Sequence, residues 1–77
     1  MPTILRVGRY RFHFFSNEGQ EPAHIHVKAG NEQAKFWLDP VAIAANYGFE
    51  VYELNEIKTI IIQHQTKLID AWNEYFD

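Results

Sequence analysis

The chain has no cysteine, so neither disulfides nor thiolate–metal clusters help to hold it together. No apolar run approaches the length of a membrane span, so no spanning helix is expected. There is no Gly-rich phosphate loop and no activated-serine motif, which sets aside P-loop nucleotide chemistry and serine-nucleophile hydrolysis. Repeats, low-complexity tracts and linkers are also missing, and the reading is one domain over residues 1–77. No long apolar stretch follows Met1-Pro2-Thr3-Ile4-Leu5-Arg6, so no secretion signal is expected and a soluble, cytoplasmic protein is.

Stability must therefore come from apolar burial, a bound ion or a partner subunit, and the composition supports burial. Of 77 residues, 47% are hydrophobic and 16% aromatic, far from a disordered composition. The net charge of −3 argues against indiscriminate nucleic-acid binding, but it hides an asymmetry. Residues 1–35 carry Arg6, Arg9, Arg11, Lys28 and Lys35 against Glu18, Glu21 and Glu32, a balance of +2. Residues 36–77 carry Lys58 and Lys67 against seven acids, a balance of −5. Three of the four histidines lie in the basic half. An anionic ligand is expected to meet that half.

Aromatic and β-branched residues predict strands over 10–15, 23–29 and 33–38, joined by a loop at 16–22 and a tight turn at Gly30-Asn31. Over 40–47 the alternation of Val41 and Ile43 favours a fourth strand, while Asp39, Pro40 and Gly48 would also suit a short helix. From about residue 53 to 76 the period becomes helical, with Leu54, Ile57, Ile61, Leu68, Trp72 and Tyr75 on one stripe. The predicted fold is α+β: a three- to four-stranded antiparallel sheet packed against one long C-terminal helix. A second stripe, Ile62, Ile69 and Phe76, is either the flank of a broad buried face or a homodimer surface. His64, near the first stripe, reads as a partly buried, satisfied histidine. Glu21, in the loop, reads as solvated.

Side chains alternate across a strand, so each predicted strand sorts into two faces. Tyr10, Phe12 and Phe14, then Ile25, Val27 and Ala29, then Ala34, Phe36 and Leu38 must coincide to form a core against the helix. The opposite face then gathers Arg9, Arg11, His13, Phe15, His24, His26, Lys28, Lys35 and Trp37. Such a face offers cations for phosphates and aromatics for stacking on bases.

His24 and His26 are one residue apart and share that face, with Cα atoms about 7 Å apart from twice the strand rise. Three chemistries remain open for them. They are a general acid and base acting on a phosphodiester beside a neighbouring cation. Alternatively they chelate a divalent metal with His13 or Glu18. In the third reading one of them is structural, bonded to the loop that Pro22 closes.

Several stretches carry a family resemblance. They are Met1-Pro2-Thr3-Ile4, Gly8-Arg9-Tyr10-Arg11-Phe12, Phe15-Ser16-Asn17-Glu18, Pro22-Ala23-His24-Ile25-His26-Val27 with Gly30, Lys35-Phe36-Trp37-Leu38, Gly48-Phe49, Glu53-Leu54-Asn55-Glu56-Ile57 and Ala71-Trp72-Asn73-Glu74-Tyr75-Phe76. Together they resemble a widespread prokaryotic family of small domains of unknown function, with P-x-H-x-H-V as its most distinctive element. Some of its members are described as DhiT-type toxins of type II toxin–antitoxin pairs. The resemblance implies a cytoplasmic protein with an antitoxin partner, and its motif falls on Glu18, His24, His26 and Lys35-Phe36-Trp37.

The leading expectation is a toxin-type protein acting on RNA or another phosphodiester, a ribonuclease-like activity without metal or other cofactor. His24 and His26 would be the acid/base pair and Glu18 their orienter. Arg11 and Lys28 would stabilise charge, and His13, Lys35 and Trp37 would complete substrate binding. The alternatives are a non-catalytic module that binds nucleic acid or protein on the same face, and a divalent-metal site built on the histidines.

Overall fold

The computed structural model describes residues 3–15 and 19–76. Five strands, β1 (Thr3–Val7), β2 (Tyr10–His13), β3 (His24–Ala29), β4 (Glu32–Leu38) and β5 (Val41–Tyr47), precede two helices, α1 (Val51–Gln63) and α2 (Gln65–Phe76). The strands pair antiparallel in chain order β1-β2-β3-β4-β5, a meander in which each strand lies beside its neighbour in sequence. Gly8 and Gly30, with φ of 56° and 61°, take the left-handed conformation that two of these turns require.

The α+β class and the antiparallel sheet match the expectation, and residues 41–47 are a strand. The strand count does not match. Residues 3–7 form β1, whose signal was the β-branched set Thr3, Ile4 and Val7 ending at Gly8. β2 stops at His13, two residues earlier than expected.

The single long helix is also corrected. It breaks at His64, which closes α1 with φ −118°. His64 Nδ1 donates to the Ile60 carbonyl at 2.8 Å, a side-chain bond that competes with the main-chain ladder. Gln65 Nε2 donates to the Leu38 carbonyl at 2.7 Å, tying the start of α2 to β4. No Gly or Pro marks this break, and the apolar period runs on across it, so the pattern alone read as continuous.

Period two across the strands predicted the core correctly. Phe12, Phe14, Ile25, Val27, Ala34, Phe36 and Leu38 are buried against Ile57, Ile61, Leu68 and Trp72 of the helices. Each large side chain so buried contributes roughly 1.5–3 kcal/mol. Tyr75 lies at the rim, 40% exposed. The second stripe is not one open surface, because Ile69 and Phe76 pack on this core and only Ile62 is exposed. As a homodimer face through Ile62, Ile69 and Phe76 it is therefore incomplete. Among the described residues no helix is long and apolar enough to cross a membrane.

Candidate functional site

Register places the polar side chains. Residues directly opposite in an antiparallel pair point to the same side of the sheet. On the face away from the core, Arg6 opposes Arg11, Arg11 opposes Lys28, Lys28 opposes Gln33, and Gln33 opposes Tyr47. This row crosses all five strands and begins with three cations. The next row runs Thr3, His13, His26, Lys35 and Ala45. The third opposes His24 to Trp37 and Trp37 to Ala42.

The structure thus brings Arg11, His13, His24, His26, Lys28, Lys35 and Trp37 to one face. Two expected members differ. Arg9 lies in the β1–β2 turn rather than in a strand, where it pairs with Glu32 at 3.1 Å and with Glu53. Phe15 follows the end of β2, yet its ring still covers the face, 4.4 Å from His26 and 5.1 Å from His13. Glu18 lies outside the described residues.

The face is not uniformly wet, and this corrects the picture of an open histidine surface. His24 is 0% exposed and His13 2%. The end of α2 reaches the start of β3, where the Trp72 ring is 4.8 Å from His24. His24 Nδ1 donates to the Pro22 carbonyl at 2.9 Å. A carbonyl can only accept, so this bond fixes the proton on Nδ1. It is the structural arrangement foreseen as one of three readings of the H-x-H pair. His26 is half-buried and links the cluster, with ring centres 5.2 Å from His24 and 5.8 Å from His13.

Burial has an electrostatic consequence at His13. Its pKa is lowered from 6.5 to about 4, mainly by desolvation and further by the charges of Arg11, His26 and Lys28. It is neutral at physiological pH and reads as a packed member of the face rather than a cation. Among the described residues no group of three or more His, Asp or Glu side chains is placed to hold a metal ion.

The cations differ in availability. Lys35 Nζ is 2.6 Å from Glu21 Oε1 and lies over the Trp37 ring at 4.7 Å. Glu21 is therefore a partner in the site and not merely solvated. It was missed because the 14-residue separation carries no sequence signal. By contrast, Arg6, Arg11 and Lys28 make no ion pair among the described residues, and with Arg9, Ala29 and Gly30 they line a shallow depression of about 240 Å³. Beside it a second depression, also about 240 Å³, is lined by His26, Gln33, Ala34, Lys35, Ala45 and Tyr47.

Arg6, Gln33 and Tyr47 were not among the expected site residues. Arg6 could have been found had β1 been recognised. Tyr47 and Gln33 enter only through the pairing of β4 with β5. A wider depression between Gly19 and the end of α2 is lined by Trp72, Asn73 and Phe76 and carries no charged group among those residues.

A family model described as Domain of unknown function (DUF4160) matches residues 10–73, which is most of the chain. The chain belongs to this family. No curated protein and no solved structure matches it. The family's span runs from β2 into α2 and leaves out Arg6 and Arg9 of the residues that line the cationic depression.

Proposed function

We propose that this chain is a binding domain for single-stranded nucleic acid, taken on the face of the sheet that turns away from the helices. The observation that carries this reading is the cross-strand row Arg6, Arg11 and Lys28. Like charges directly opposite one another destabilise a sheet. No carboxylate among the described residues offsets these three. A polyanion supplies the missing counter-charge. The row continues to Gln33 and the exposed ring of Tyr47, so phosphate contacts at one end adjoin a stacking surface at the other.

Binding of labelled single-stranded RNA, followed by anisotropy over a salt series, tests this. Three phosphate contacts give a slope of log affinity on log salt of about −2, and the double variant Arg11→Ala/Lys28→Ala should lose roughly 1.4 of it. An unchanged slope in a folded variant would sink the proposal.

A second reading adds catalysis: a toxin-type protein of a toxin–antitoxin pair that cleaves the strand it binds, with an antitoxin as partner. It rests on the family resemblance and on His26, which adjoins both Lys35 and the cation row. Here His26, rather than the buried His24, meets the phosphodiester, and His24 positions it. A His26→Ala variant that binds RNA as before but no longer cleaves it or arrests growth supports this reading. No cleavage by the unaltered protein leaves binding as the function.

A further inference from the structure

We propose that β5 is a docking edge through which two copies of this chain pair, β5 against β5 in antiparallel sense. The sheet order leaves one side of β5 open, and no strand among the described residues occupies it. Its seven residues, Val41, Ala42, Ile43, Ala44, Ala45, Asn46 and Tyr47, include no charge and no proline. Edge strands usually carry a charge, a proline or a bulge, because an open row of backbone donors and acceptors is a template for another strand; β5 has only the last of these, at Ala44. The opposite edge has a charge: β1 presents the exposed Arg6.

The location of exposed apolar surface is an independent observation. Among the described residues the large hydrophobic side chains left exposed are Ile43, Tyr47, Val51, Tyr52, Ile62 and Tyr75. All but Tyr75 belong to β5 or to α1, the helix packed beside it. The large apolar side chains that the fold leaves exposed thus lie mostly on β5 and on the helix beside it. Ile62 is among them, whereas Ile69 and Phe76 pack, partly buried, against the core of their own chain.

Charge and symmetry select a second copy as the occupant. A twofold axis perpendicular to the sheet pairs β5 antiparallel with itself, so an uncharged strand meets an uncharged strand. The same operation at β1 would bring Arg6 towards its counterpart. Pairing at β5 keeps the cation rows of both copies on one side of a continuous sheet and the helices on the other. Ala44 is an extra residue in β5, between the pairs Lys35 with Ala45 and Phe36 with Ile43. Such a bulge bends the edge and discourages long pairings. The contact is therefore short, and the twofold axis closes it as a dimer.

Sedimentation analysis across a concentration series, from micromolar to millimolar, tests the proposal. The unaltered protein should approach twice its 9.1 kDa mass. Ile43→Lys and Ala44→Lys, each checked for native circular dichroism, should weaken association about tenfold or more by placing like charges across the axis. Amide exchange of the unaltered protein gives a readout free of any folding defect in the variants. Residues 41–47 should gain protection at high concentration and lose it on dilution. A monomer at every concentration, or a dimer that folded lysine variants leave intact, overturns the proposal. The first result would leave the edge to a strand from a different protein.

Discussion

Replacing His13 by Gln should flatten part of the acid limb of the stability profile, and the size of the effect follows from its burial. The side chain is 2% exposed, and among the described residues its Nδ1 has no hydrogen-bond partner. Its pKa falls from 6.5 to about 4. The folded state therefore resists protonation that the unfolded chain accepts. Above pH 6.5 both states are neutral and the stability is complete. Between pH 6.5 and 4 only the unfolded chain gains the proton, so stability falls with pH. Below about 4 the loss is complete. At about 1.4 kcal/mol per pKa unit, the full loss is about 3 kcal/mol. A 77-residue domain has roughly 4–12 kcal/mol in all, so this is a large share.

Carboxylates titrate in the same range, and a single profile would mix their effects with that of His13. The quantity to measure is the difference between unaltered protein and His13→Gln, from urea midpoints at each pH. Glutamine leaves a buried amide, which adds a constant offset, so the reasoning rests on slope alone. The gap should shift in favour of the variant by about 3 kcal/mol between pH 7 and 4. Parallel profiles would refute it, showing that the imidazole ionises in the folded state as readily as in water.

Two further outcomes concern stability. His24→Ala should cost about 2–4 kcal/mol, because it opens a cavity beside Trp72 and removes the bond to Pro22. His26→Ala, at a half-buried position, should cost about 1 kcal/mol. Equal urea midpoints for the two variants would contradict the different roles given to the pair. Glu53 accepts from the Glu50 backbone N–H at 3.0 Å as part of a capping box and also pairs with Arg9. Glu53→Ala should therefore cost about 1–2 kcal/mol, and Arg9→Ala, whose side chain is 51% exposed, should cost less than that. Thermal melts that rank these two in the reverse order would count against the cap.

Much of the architecture follows from local rules. The pleat alone separates Phe12, Val27, Ala34 and Phe36 from Arg11, His26, Lys28 and Lys35, because a strand has only two faces and only one can turn to the helices. The turn at Gly30-Asn31 and the helical stripe through Ile57, Ile61, Leu68 and Trp72 are legible for the same reason: backbone conformation and burial act on residues close in sequence. The basic, histidine-rich face was visible at that level.

Periodicity names a face but not what crosses over it, nor which residue lies opposite which. Whether His24 meets solvent depends on Trp72, 48 positions along the sequence numbering, and on where α2 ends. Whether Lys35 is available depends on Glu21 in a loop. Arg6, Arg11 and Lys28 become a row only through the register of two strand pairs, and Tyr47 joins them through two more. The residue types and their alternation determined that a cationic, imidazole-bearing face would exist. Tertiary structure decided which of its groups are buried, which are neutralised and which stay at the surface, because contacts between distant segments depend on packing and not on spacing.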